Sequence, residues 1–510
     1  MTLDLLIPSQ LAHALLPDLL VMAGAMVLML VAAWDRESAA RQRRVGFGAM
    51  LVVVVAIAAT VHMAVGGYTA AAGGVIAVDG YRWALDLIIL LSALATIALS
   101  IEQNARDGIL TAETHVLVLF AAAGMMMLAA GRDLMVIFLG IEIMSIAIYV
   151  LAGIDRRRAR AAEASLKYFL LGAFATGFLL YGIALIYGAT GSTQLNEIGA
   201  KIVHFKLYTH PMLLVGTGLL LIGMGFKVAA APFHMWAPDV YEGSPTPVTA
   251  FMAAAVKAAA FATFLRIWYE GLYFLTASWV VPVSALALLT MFLGNVVALS
   301  QRNIKRMLAY SSVVHTGYLL VAIASSTALA STAMIFYLFA YGLATFGAFA
   351  IVMTLQPDGD APALVSDYEG LWQTRPWLAS AMAVYLLALL GFPIFGGIGF
   401  FAKWYLLQAA LDSITGLVPL AVAIVLTSVI SAGYYLQVVR AMFMSPRPEG
   451  AREPAPMGGM TRAVIGVTAV LILALGLFPS QLVRYSSENG LHQHPYSPTT
   501  GMGLPPGIRP

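Results

Sequence analysis

Seven ionisable residues sit inside or beside long apolar runs. They are Glu142 in "FLGIEIMSI", Lys167 in "EASLKYFLL", Lys227 and His234 in "GMGFKVAAAPFHMW", Lys257 in "AAAVKAAAF", His315 in "YSSVVHTGYLL" and Lys403 in "GFFAKWYLL". An ionisable group at the centre of a bilayer costs about 2.5–3.5 kcal/mol on insertion scales. Glu142, Lys227, Lys257 and Lys403 would together cost roughly 10 kcal/mol without partners, as much as the whole stability of a domain. They therefore need neighbours or water, and a group whose protonation depends on its neighbour can pass a proton on. His315 and His234, with the one side chain that titrates near neutrality, add possible relays. The structural alternative is a set of buried ion pairs and snorkelling lysines. It fits Lys167 best, which lies one helical turn after Glu163. It fits the other three lysines poorly, because two of them flank helix breakers.

Something apolar must position these groups, and the composition says what. Of 510 residues, 61% are hydrophobic and 10% charged, against about a quarter charged in a soluble chain. The net charge of +3 is too small and dispersed for nucleic acid. With no cysteine there is no disulfide, cysteine-bound zinc or cysteine-bound iron–sulfur cluster. No glycine loop precedes a basic residue and Ser/Thr as phosphate binding requires, and no metal-ligand pattern is evident. The expectation is that this chain binds no cofactor and no metal.

Apolar windows near 12–34, 46–65, 81–101, 113–130, 133–153, 163–188, 211–240, 248–270, 275–300, 305–324, 328–355, 376–411, 415–441 and 461–479 predict fourteen spans. The first reads as a permanent helix, since it follows Asp4 rather than a basic region. The seventh and twelfth windows are overlong and carry breakers, "AAAPFHMW" and "GFPIFGGIGF". Placing the N-terminus outside puts seventeen of the 28 Lys and Arg residues in inner loops and seven outside, so both termini are expected on the outer side. Interrupted helices five spans apart suggest two inverted five-helix repeats, a transporter plan in which broken helices carry polar groups to mid-membrane. The expected units are three N-terminal helices (1–112), a first repeat (113–270, helices four to eight), a second (271–445, helices nine to thirteen), and a last helix with a Pro/Gly-rich tail (446–510). The fold class is an all-α polytopic membrane protein.

Three stretches add a resemblance. "FHMWAPDVYEGSPTPVTAFMAAAVKAA" (233–259), "IKRMLAYSSVVHTGYLL" (304–320) and "EASLKYFLLGAFATGFLLYGIALIYGATGS" (163–192) closely resemble the N subunit of complex I, the proton-pumping NADH–quinone oxidoreductase. The resemblance runs over roughly 80–445. It implies that Glu142 is the helix-five glutamate facing Lys227, that Lys257 is a bridging lysine, and that Lys403 is the terminal lysine of a proton path. Lys167 and His315 would be further polar positions; His234 is a secondary candidate from its place in the break alone. It also implies that NADH, FMN, iron–sulfur clusters and quinone belong to the rest of the complex. The implied partners are K- and M-type neighbours and the lateral helix of the L type, in a bacterial plasma membrane. Lys403 argues against the M type, which usually has glutamate there, and the chain is too short for the L type. The main rival is the D-type subunit of a multisubunit sodium/proton antiporter, which usually reads "APTPVSA" followed by a histidine. A structural scaffold with dead channels is the other.

Overall fold

The computed structural model describes residues 2–34, 37–70, 74–356, 361–394, 397–413, 416–450 and 453–491. The Pro/Gly-rich tail at 495–510 lies outside them. Among the described residues, twelve helices are long and apolar enough to cross a membrane. They are the first span, Leu16–Trp34, and then Ala39–Val65, Gly80–Asp107, Glu113–Ala130, Leu134–Ala152 and Ala159–Thr190, the second to sixth. After the interrupted seventh come Thr246–Gly271, Tyr273–Leu299, Ile304–Ser325 and Ala328–Leu355, the eighth to eleventh. Beyond the interrupted twelfth lie Val418–Met444 and Gly459–Leu477, the thirteenth and fourteenth.

The two interrupted spans complete the fourteen. The seventh is Pro211–Lys227, a non-helical break, and Ala237–Gly243; the twelfth is Pro376–Leu390 and Gly397–Leu411. The first predicted window also divides, into Pro8–Ala14 and Leu16–Trp34. Two-residue strands at 2–3 and 69–70 pair in parallel, and a short helix, Leu195–His204, lies in the loop after the sixth span. The eighth, tenth and eleventh spans form the buried centre, whereas the first, second and fourteenth expose most of their surface. The central helices carry apolar residues on most sides because little of their surface is left exposed.

The repeat is visible in backbone detail at a constant offset of 170 residues. Asp133 bridges Gln194, and Asn303 bridges Leu364 (133 to 303, 194 to 364). The flanking amides repeat the pattern: Leu134 N and Leu195 N donate to Thr193 O and Arg132 O, as Ile304 N and Val365 N do to Ala363 O and Arg302 O. Asp133 caps the fifth span through the Met135 amide, and Asn303 caps the tenth through the Lys305 and Arg306 amides. Close packing repeats as well. A Cβ on Gly124 would lie 2.5 Å from Met144 N and 3.0 Å from Gly140 O; on Gly294 it would lie 3.2 Å from Val314 N and 3.3 Å from Tyr310 O. Both glycines let consecutive helices touch backbone to backbone. A shift of five spans reverses the direction of crossing, so the repeats are inverted.

Candidate functional site

Lys227 is the last residue of the first half of the seventh span. The break after it exposes backbone groups that lipid cannot satisfy, and neighbouring side chains satisfy them instead. Thr316 Oγ1 donates to Val228 O (2.5 Å), Ala231 N donates to Thr290 Oγ1 (2.9 Å), and Trp236 Nε1 donates to Phe226 O (3.0 Å). Ala229 takes a left-handed conformation at φ 57°, a strained setting for a residue with a Cβ. The break is thus held open by specific contacts from the ninth and tenth spans.

The buried Lys227 ammonium donates to Ser145 Oγ at 2.7 Å and lies 5.8 Å from the centre of the Tyr149 ring. Glu142, one turn before Ser145 on the fifth span, accepts from Thr176 Oγ1 at 3.0 Å. The expected Glu142–Lys227 facing is therefore indirect. No ion pair joins the two among the described residues, and the lysine's contact is a hydroxyl.

Lys257 follows a π-helical turn, Met252–Val256, in the wholly buried eighth span. Such turns insert a residue and re-aim the side chains after it. Its ammonium donates to both the carbonyl and the hydroxyl of Ser312, each at 2.5 Å, with the Tyr341 ring 5.2 Å away. Lys403 lies in the second half of the twelfth span and reaches back across its break. It donates to Leu390 O (2.7 Å), at the C-terminal end of the first half, and to Ser428 Oγ (3.0 Å), with the Tyr318 ring 4.7 Å away. A helix C-terminus favours a cation. Gly391, at φ 80°, makes room for this approach, since a Cβ there would sit 2.9 Å from Lys403 Cδ. In each interrupted span, then, a lysine stands at the C-terminal end of the first half, although one lysine precedes its break and the other follows.

Three of the four buried lysines, Lys227, Lys257 and Lys403, share one environment: a hydroxyl acceptor and a tyrosine face; the fourth, Lys305 near the start of the tenth span, donates to Ser244 O at 2.6 Å. Among the described residues none of them has a carboxylate within ion-pair distance. Neutral acceptors tolerate both the charged and the uncharged amine, whereas a tight ion pair would hold the charge in place.

His315 joins Lys257 and Lys403. Its Nδ1 shares a 2.5 Å hydrogen bond with Tyr337 OH, its Nε2 lies 3.3 Å from Tyr435 OH, and its ring centre is 4.8 Å from that of Tyr341. Tyr435 in turn bonds Ser311. A cavity of about 10 Å³ is lined by His315, Tyr337, Tyr341 and Lys403, which is about the room one water needs.

Two candidates lie elsewhere. Lys167 is half-exposed and pairs with Glu163 (2.5 Å), as its spacing suggests, and with Asp239 (2.8 Å). Asp239 continues through Arg306 to Glu242 and Arg160, an ionic network that Lys227, Lys257 and Lys403 do not join among the described residues. His234 is half-buried in the break, with its ring 6.4 Å from that of Tyr310, and among the described residues no hydrogen bond joins it to a lysine. Sequence reasoning missed Ser145, Ser312, Ser428 and the tyrosines. Tyr337 and His315 stand 170 residues after Lys167 and Ser145, so the repeat offset was a signal that could have marked both.

These features define a class first: an antiporter-like, multi-pass membrane subunit. The family described as NADH:quinone oxidoreductase/Mrp antiporter, TM, matches residues 131–431. NADH-quinone oxidoreductase subunit N of Gemmatimonas aurantiaca is 48% identical, with 97% of this chain and 96% of that protein aligned. The subunit N of Chloroflexus aggregans is 42% identical over 94% and 96%. Among solved structures, a chain of respiratory complex I from Thermus thermophilus with bound aureothin superposes with a TM-score of 0.78 at 36% identity, over 93% of this chain and 100% of that one. A chain of the Mrp complex from Dietzia reaches 0.81 at 22% identity, over 96% and 98%, a likeness of fold. The chain belongs to the N-subunit group of this family, the antiporter-like membrane subunits of NADH–quinone oxidoreductase.

Proposed function

We propose that this chain carries protons across a bacterial plasma membrane along Glu142, Lys227, Lys257, His315 and Lys403. Electron transfer from NADH to quinone takes place in other subunits, which hold the FMN and iron–sulfur clusters, and it drives the protons here. The observation that carries the reading is the shared setting of Lys227, Lys257 and Lys403, each on neutral hydroxyl or carbonyl acceptors beside a tyrosine. A change in the field at Glu142 would shift the proton on Lys227. That change would then alter the field at Lys257 and, through His315 and the water-sized cavity, at Lys403. Units 113–270 and 271–445 act as two linked half-paths, and Lys167 and His234 serve as secondary positions near their ends.

Glu142 also supports a partner assignment. It is half-buried on a face where Leu139 and Ile146 are exposed, and a carboxylate facing lipid is costly. A K-type neighbour covers this face, the M-type neighbour packs at the other end, and the lateral helix of the L type runs alongside. Both termini lie in the periplasm.

The antiporter reading keeps one supporting observation, the fold shared with the Mrp complex chain. Purifying the tagged chain from native membranes separates the two. Co-purification with flavin and iron–sulfur subunits, and NADH-driven proton uptake independent of sodium, is the expected result. Sodium-dependent proton exchange without those subunits would replace it with the antiporter.

A further inference from the structure

A cavity of about 320 Å³ lies between the second, third, eleventh and fourteenth spans, and Glu142 is not among its lining residues. Its lining includes Met50, Leu94, Ala98, Phe346, Met460 and Val464. The two hydroxyls that border it are already used: Ser92 Oγ donates to Ile88 O (2.7 Å) and Thr468 Oγ1 to Val464 O (2.6 Å). An occupant thus meets no free hydroxyl donor in an otherwise apolar lining and must itself be largely apolar along this length. Leu91 and Val467 at its rim are 43% and 57% exposed, so the cavity opens sideways towards lipid.

Its shape and depth narrow the occupant. On the third span the lining runs from Ile88 to Ala98, about 15 Å along the helix axis. That is about half of a ~30 Å hydrocarbon core, the depth of one leaflet. The cavity is elongated along the spans, as an extended hydrocarbon chain is.

One end is basic. Arg43 of the second span, Arg106 of the third and Arg462 of the fourteenth are exposed near the helix ends closest to Met460. Arg106 is engaged by Asp107 and Met353 O, whereas the Arg43 and Arg462 side chains have no partner among the described residues. The nearby carboxylate of Glu102 is occupied in capping the fourteenth span, accepting from Met460 N (2.8 Å), Thr461 N (3.1 Å) and Thr461 Oγ1 (2.5 Å).

We propose that this cavity binds one acyl chain of an anionic phospholipid, whose phosphate sits between Arg43 and Arg462. The lipid fills the wedge where the fourteenth span rests on the N-terminal helices, and so seals the three N-terminal helices and the last span to the eleventh.

The test uses the whole complex in bilayers containing phosphatidylglycerol or phosphatidylcholine with a photoactivatable group mid-chain. Cross-links concentrated on Leu94–Ala98 and Val464–Leu471, above the level on the first span, are expected with phosphatidylglycerol. Arg43→Gln with Arg462→Gln should lower that labelling about fivefold for each arginine lost, the worth of one basic residue at an anionic surface. Ala95→Trp should displace the chain and remove the excess labelling while labelling of the first span persists. Uniform labelling of all lipid-facing spans would overturn the proposal. So would equal labelling by both headgroups, or absence of labelling because a partner helix covers the groove. The wild-type cross-linking alone is decisive if the variants fail to assemble.

Discussion

At the scale of residues, the site is a set of amines resting on hydroxyls. Lys257 shows this most plainly, with both polar oxygens of Ser312 at 2.5 Å. Ser312→Ala keeps the carbonyl and removes the hydroxyl. It should slow proton translocation by about tenfold, the rate equivalent of ~1.4 kcal/mol, while the complex assembles normally. Wild-type pumping in Ser312→Ala would mean that the hydroxyl is packing only. Tyr337→Phe should likewise slow pumping, since it takes the hydrogen bond from His315 Nδ1 but leaves the ring. Stopped-flow uptake in vesicles measures both. The lysines themselves were legible, because a charge in an apolar run has to be explained. Their acceptors were not. Serine and threonine are common in apolar helices and usually bond their own preceding turn, as Ser92 and Thr217 do here. Only the packing of the fifth, tenth and thirteenth spans distinguishes Ser145, Ser312 and Ser428 from them.

At the scale of elements, the breaks are built structures rather than weak points. Thr316 and Thr290 cap backbone groups that the seventh span leaves open. Thr316→Val keeps the shape and leaves Val228 O unsatisfied in a buried place, a cost of about 1–3 kcal/mol. It should lower the thermal stability of the complex and reduce pumping together; a fall in neither would mean that water takes over the cap. The breakers and the overlong windows revealed both interrupted spans in the sequence. The π turn before Lys257 left no such mark, since "FMAAAVKAAA" is a good α-helical stretch by composition and the turn arises from tertiary packing. The inverted repeat was readable only as a displacement of five. The stretches "GRDLM" and "QRNIK" are too short to align without the bridges that show their equivalence.

At the scale of the whole molecule, a charge cluster ties the N-terminal helices to the core. Arg266, wholly buried on the eighth span, holds Asp79 with two hydrogen bonds of 2.9 and 3.0 Å, and Arg132 and Glu270 complete the group. Burial alone would raise the Asp79 carboxyl, yet the Arg266 guanidinium, with Arg132 behind it, holds it below the usual carboxylate range. The stability this contributes is present above the unfolded carboxylate value near 4 and is lost as pH falls through the lower folded value. Asp79 also caps the third span through Arg82 N at 2.8 Å. Asp79→Asn should keep the cap and lose the pairing, and Asp79→Ala should lose both, so detergent-extracted complex should unfold earlier in the order wild type, Asn, Ala. Reversal of that order would remove the cluster as a clasp. The topology has its own check. Reporter fusions at Arg158 and at the C-terminus should report opposite sides of the membrane, and agreement between them would contradict the fourteen-span crossing.

The central claim is that Lys227, Lys257 and Lys403 carry protons. Its most direct test is proton translocation per NADH oxidised, in inverted vesicles holding equal amounts of assembled complex with and without Lys227→Ala. The substitution removes an expensive buried charge that rests on neutral Ser145, so assembly should survive. Loss of the carrier should lower translocation, and coupling should slow NADH oxidation with it. An unchanged rate and an unchanged number of protons per NADH would contradict the claim and leave Lys227 a structural charge.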